Sequence, residues 1–121
     1  MAMKNIDART AADMKKAGAL LVDIREPGEY AQMHIPGSQL VSLSHFGMSE
    51  LPLGPGQAVI FFCAGGNRTA ANATRLAEKA GKHEAYVMAG GIGAWRSAGL
   101  PVESGGSEAP GGSFFSRLLG R

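Results

Sequence analysis

The chain has 121 residues, 45% apolar and 18% charged, which is enough for one domain with a core and too little for two. Lys and Arg number 12 against 10 Asp and Glu, and Lys4, Arg9, Lys15, Lys16 and Arg25 are scattered, so no nucleic-acid partner is expected. A single cysteine excludes an internal disulfide and a Cys-rich metal site.

Met1 to Asn5 leads straight into a polar helical pattern with no apolar signal core. The longest apolar runs, Leu20 to Val22 and Ala58 to Ala64, are too short to span a bilayer. An unpaired thiol suits a reducing compartment, and a cytoplasmic location is expected. Asp7 or Thr10 caps a first helix running to about Ala17, with Gly18 as its stop. Ala19 to Val22, ending at Asp23, reads as a strand buried on both faces, the pattern of a parallel sheet flanked by helices. Pro27 opens a short helix through Tyr30 and Met33, and Ile35-Pro36-Gly37 forces a turn.

Gln39 to Leu43 is expected as a shorter strand, His45 to Leu51 as a helical turn, and Pro52 to Gly56 as a loop. Ala58-Val59-Ile60-Phe61-Phe62 is the clearest strand and ends at Cys63. A loop through Asn67 then gives way to a helix from Arg68 or Thr69 to Ala80, closed by Gly81 in the left-handed conformation. Ala85 to Met88 is the last strand, and Gly90-Gly91 turns sharply into a helix through Trp95 that Gly99 and Pro101 end. This alternation predicts an α/β sandwich around a small, mostly parallel sheet.

A thiol at the end of a buried strand, before a glycine-rich loop that opens a helix, is a specific arrangement for chemistry. Ligands of open α/β sheets sit at the carboxyl ends of the strands. Gly65 and Gly66 allow positive φ and Asn67 tolerates it, so the loop can turn its N–H groups toward the sulfur. The helix start and Arg68 add positive charge. Together they favour an anion on Cys63 and predict a thiol more acidic than the free value of about 8.5. A lone Cys after four apolar residues is otherwise a small buried hydrophobe; the Gly-Gly-Asn-Arg-Thr that follows argues against that.

Cys63 to Thr69 resembles the active-site loop of rhodanese-like domains, a cysteine followed by a Gly-rich turn ending in Arg and Ser or Thr. Asp23-Ile24-Arg25-Glu26-Pro27 with Glu29-Tyr30, His34-Ile35-Pro36-Gly37-Ser38, and Gly90-Gly91 with Ala94-Trp95 and Ala98 to Val102 resemble three further motifs of that family in the same order. The resemblance implies a rhodanese-like three-layer α/β/α sandwich with a central, mostly parallel five-stranded sheet over residues 1–103. It also implies a sulfurtransferase: Cys63 attacks a sulfane-sulfur donor such as thiosulfate or a persulfide, holds the sulfur as a persulfide, and passes it to a thiol or to cyanide. The backbone of Ala64, Gly65, Gly66, Asn67, Arg68 and Thr69 would stabilise that persulfide. No metal and no organic cofactor is implied, and the expected partners are a small-molecule sulfur donor and a thiol acceptor, which a protein can also supply.

Arg68 lies five positions after Cys63, a loop one residue shorter than that of the related cell-cycle phosphatases, and Phe62 rather than His precedes the cysteine. Sulfur transfer is therefore expected over phosphate cleavage. The alternatives are a non-catalytic binding or regulatory module, which typically lacks the cysteine, and a redox sensor, which needs a resolving thiol. Ala64 stands where many thiosulfate-using members carry a basic residue, and this favours a persulfide donor. Asp23 is expected to cap the following turn, Arg25 to pair with Glu29 or a backbone carbonyl, and His34 to anchor a turn. His45 and His83 have no ligand spacing to Cys63, so no zinc site is expected.

Residues 104–113, rich in Gly, Ser and Pro, read as a flexible linker. Residues 114–121 read as a short amphipathic tail, with Phe114, Phe115, Leu118 and Leu119 beside Arg117 and Arg121. That tail is expected to dock on its own domain, on a partner or on a membrane surface.

Overall fold

Short strands join into one fully parallel sheet of five: β1 (Lys4–Ile6), β2 (Leu20–Asp23), β3 (Gln39–Leu40), β4 (Val59–Phe62) and β5 (Ala85–Met88), in the spatial order β1-β5-β4-β2-β3. The computed structural model describes residues 3–105. Nearly all of the linker expected at 104–113, and the whole tail at 114–121, lie outside the described residues. Five helices connect the strands: α1 (Ala8–Lys16), α2 (Pro27–Gln32), α3 (Asn67–Ala71), α4 (Ala73–Ala80) and α5 (Gly91–Ser97), with a 3-10 segment at Leu43–Met48.

The centre of the sheet follows directly from hydrophobicity. All four residues of β4 are fully buried, because β4 is paired on both edges and covered on both faces. Alternation along it divides two cores. Ile60 and Phe62 join Leu21, Met88, Ile92 and Trp95 beneath α1 and α5. Val59, Phe61 and Cys63 join Val22, Phe46, Leu76 and Ala80 beneath α4 and the 3-10 segment. Cys63 thus belongs by alternation to the α4 side. Trp95 packs its indole into the first core and donates Nε1–H to the Pro101 carbonyl at 2.8 Å.

Four elements depart from the sequence expectations. Met1 to Asn5 does not run straight into a helix, since Lys4–Ile6 is an edge strand paired to Tyr86–Met88. Its register comes from backbone pairing, so its exposed Lys4 and Asn5 carry no apolar signal. The strand at Gln39 stops at Leu40, and the helical turn begins earlier, at Leu43, than the His45 expected. The helix after the loop is two helices, broken at Asn72 (φ −119°, ψ 22°), whose side-chain N–H bonds the Arg68 carbonyl at 2.9 Å. Gly81 ends α4 at φ 60°, ψ −119°, a glycine conformation outside the left-handed helical region. Asp7, by contrast, caps α1 as expected, accepting the Thr10 N–H at 2.8 Å.

Candidate active site

Cys63 sits one residue past the carboxyl end of β4, flanked by the ends of β2 and β5. It is buried and is the single free thiol. Two contacts fix where its loop starts. The first turn of α5 donates Ile92 N–H to the Cys63 carbonyl at 2.9 Å and Gly93 N–H to the Ala64 carbonyl at 3.1 Å. That close approach requires Gly91, at φ 60°, where a Cβ would stand 2.2 Å from the Cys63 oxygen.

From Ala64 the chain turns at Gly66, whose φ of 106° only glycine adopts without strain. Of the three residues able to take a positive φ, Gly66 alone does so, and Gly65 and Asn67 do not. The turn aims the Gly66 N–H at Cys63 Sγ, 3.1 Å away. The buried Thr69 hydroxyl lies 3.9 Å from Sγ and donates to the Gly66 carbonyl at 3.0 Å, bracing the turn. Ala64 and Gly65 form the rim, and Asn67 is the exposed first residue of α3.

Arg68 adds positive charge near the Cys63 thiolate, as expected, but commits its side-chain hydrogen bonds elsewhere. Its guanidinium grips Glu29 of α2 with two parallel bonds, Nη1 to Oε1 at 2.8 Å and Nη2 to Oε2 at 2.9 Å, the geometry that suits this pairing best. Glu29 Oε1 also accepts the Glu26 N–H at 2.9 Å. The Arg68 guanidinium holds the Glu29 carboxyl down at about 2. The tether is therefore complete above the ordinary carboxylate range and is lost as pH falls toward 2.

Arg25, expected on Glu29 or a backbone carbonyl, takes a backbone carbonyl and pairs with Asp23 rather than Glu29. Its Nη2 reaches Asp23 Oδ2 at 2.8 Å, its Nε bonds both carboxylate oxygens, and Nη2 also bonds the Met33 carbonyl at 2.7 Å. Asp23 Oδ1 also accepts the Arg25 backbone N–H at 3.0 Å, which is the turn-capping role expected for it. Glu29 is already occupied by Arg68, so the shorter reach to Asp23 wins. His34 lies between the Tyr30 carbonyl at 2.8 Å and Glu103 Oε2 at 3.0 Å, its ring stacked on Tyr30. Among the described residues no group of His, Cys, Asp and Glu is placed to hold a metal ion.

Sequence reasoning missed two contributors. Glu29 is 39 positions from Arg68, and no local spacing signals the pair. Gly91 read only as part of a turn, although a doubled glycine one residue past a strand end was the signal that a backbone approaches closely there.

Several influences act on the thiol. Burial pushes it up, and the N–H groups of Thr69 and Gly66, the Thr69 hydroxyl and the Arg68 N–H outweigh that, leaving Cys63 below the ordinary thiol value. The rate of alkylation by iodoacetamide should therefore reach half its plateau below the midpoint of a free thiol. A midpoint at or above about 8.5 would contradict it.

A model of the Rhodanese-like domain matches residues 7–98. The chain belongs to the rhodanese-like domain family. It is 36% identical over 102 residues to the thiosulfate sulfurtransferase GlpE of Pseudoalteromonas translucida, covering 81% of this chain and 93% of that one. It is also 34% identical over 98 residues to an uncharacterized protein of Synechocystis, covering 80% of this chain and only 54% of that protein. A rhodanese-related protein from Thermoplasma volcanium superposes with a TM-score of 0.71 at 28% identity, covering 83% of this chain and 97% of that one. The five-stranded α/β fold is thus the fold of the family. No helix among the described residues of this rhodanese-like domain is long and apolar enough to cross a membrane.

Proposed function

We propose that this rhodanese-like domain is a sulfurtransferase in which Cys63 is the nucleophile and the carrier of sulfur. The observation that carries the reading is the Gly66 N–H aimed at a buried, acidified Sγ at 3.1 Å. An N–H dipole fixed in a low-dielectric site stabilises a sulfur anion without reorganising.

In the first half-reaction the Cys63 thiolate attacks the outer sulfur of the donor. A new S–S bond forms, the donor's own S–S bond breaks, and the leaving group departs with the electron pair: sulfite from thiosulfate, a thiolate from a persulfide. In the second, an acceptor attacks the outer sulfur of the Cys63 persulfide and the Cys63 thiolate is restored. A thiol acceptor leaves as a persulfide and cyanide as thiocyanate. Gly66, Arg68 and Thr69 direct N–H groups at the sulfur, Ala64, Gly65 and Asn67 shape the loop, and the chemistry calls for no metal or organic cofactor. The acceptor is a small thiol or a thiol on another protein. Phosphate cleavage fits less well, because Arg68, the charge that would meet a phosphate, is bound to Glu29.

Mass spectrometry of the intact chain tests this. Incubation with thiosulfate, and separately with glutathione persulfide, is expected to add one sulfur that cyanide removes, and a Cys63→Ala chain is expected to add none. No gain from either donor would overturn the reading in favour of a binding module.

A further inference from the structure

The loop at Cys63 is rich in hydrogen-bond donors yet carries no free positive charge. Between Cys63 and Thr69 the only charged side chain is Arg68, and both faces of its fork are occupied by Glu29. Three cations on neighbouring elements also have partners. Arg25, at the end of β2, is buried against Asp23. Arg75 and Lys79 of α4 lie over the Phe46 ring, 5.4 and 5.0 Å from its centroid, and Lys79 also donates to the Ser49 carbonyl at 2.5 Å. The first turn of α5 spends its N–H groups on the Cys63 and Ala64 carbonyls.

The geometry points to Glu29 as the residue that sets donor charge: by neutralising Arg68 it disfavours a dianionic donor such as thiosulfate and favours organic sulfane-sulfur donors of lower charge, persulfides and thiosulfonates. This rests on the sulfur-transfer reading above. N–H dipoles reach one sulfur at short range, and their field falls off faster than that of a net charge. They stabilise the sulfur being transferred but do little for the sulfonate that trails behind it at the mouth. A thiosulfate dianion meets the Cys63 thiolate with twice the repulsion a monoanion feels, and the one cation of the loop, Arg68, is already paired with Glu29.

Thiosulfate and methanethiosulfonate separate the effect cleanly. Both present an outer sulfur on a sulfonyl group, and they differ by one negative charge. With methanethiosulfonate the thiolate gains the outer sulfur and methanesulfinate leaves with the bonding pair. Glu29→Gln keeps an acceptor for Arg68 while removing the neutralising charge. It is expected to raise kcat/KM for thiosulfate relative to methanethiosulfonate by about tenfold. A second readout needs no sulfur transfer. The ratio of Cys63 alkylation rates by anionic iodoacetate and neutral iodoacetamide should rise severalfold in Glu29→Gln, and a general loosening of the loop cancels from that ratio.

If both ratios stay within about twofold of the original chain, the proposal is overturned. If neither donor transfers sulfur but the alkylation ratio still rises, the charge assignment to Glu29 stands and the sulfur-transfer reading falls.

Discussion

Asp23→Ala is expected to destabilise the domain by about 3–5 kcal/mol, read as a fall in the urea midpoint at unchanged slope. Asp23 is fully buried and Arg25 only 4% exposed. Removing the carboxylate strands a buried guanidinium whose one remaining partner is the Met33 carbonyl. Breaking one side of such a pair costs far more than the pair contributes net, because the orphaned charge keeps its desolvation penalty. Arg25→Met in the same background removes that charge and should recover much of the loss. A fall of less than about 1 kcal/mol in Asp23→Ala would show that Arg25 reaches solvent. The effect should extend to the site, since the Asp23–Arg25 pair holds the turn that delivers α2, and with it Glu29, opposite Arg68.

That dependence explains why a tether so far from the cysteine in sequence is reliable in space. β2 and β4 are adjacent and in register from Leu20↔Val59 to Asp23↔Phe62. Their carboxyl ends therefore lie side by side, and the segment after each turns over the same edge. The Ile24 N–H continues the ladder to the Phe62 carbonyl at 3.0 Å. The turn after β2 and the loop after β4 are thus held by one continuous run of parallel pairing.

What the sequence revealed of this arrangement depended on how locally each feature was encoded. Ala58 to Phe62 and Leu20 to Asp23 announce themselves because a strand covered on both faces must be apolar throughout. Lys4–Ile6 does not, because an edge strand of three residues needs only backbone pairing. The loop was legible from its glycines, but its division of labour was not. Gly66 alone reverses the chain, since one positive φ suffices to bring its own N–H onto Sγ. The break at Asn72 carries no Gly or Pro and arises from a side chain that bonds back to the Arg68 carbonyl. The partners of the two buried or half-buried arginines were interchangeable on paper. Only the fold decides that Asp23 faces Arg25 and leaves Glu29 for Arg68.

Gly91→Ala should be nearly as damaging as the loss of Asp23, and its damage should concentrate on the thiol. The added Cβ would meet the Cys63 oxygen at 2.2 Å and the Ala64 carbon and oxygen at 2.7 Å, at a φ of 60° that alanine adopts only under strain. All three contacts are backbone atoms, so no side chain can swing aside. Either the first turn of α5 withdraws, losing Ile92 N–H to Cys63 O and Gly93 N–H to Ala64 O, or the cysteine loop shifts and carries Gly66 off Sγ. Clash, strain and lost bonds together put the cost at about 3 kcal/mol. Gly65→Ala is the matched control, since Gly65 keeps an ordinary φ and nothing lies within 4 Å of its added carbon. It should change the urea midpoint little. The two variants should also part on the thiol itself: Gly91→Ala is expected to move the alkylation midpoint of Cys63 up toward that of a free thiol, and Gly65→Ala to leave it low. Equal midpoints in both would mean that the clamp from α5 has no part in acidifying Cys63.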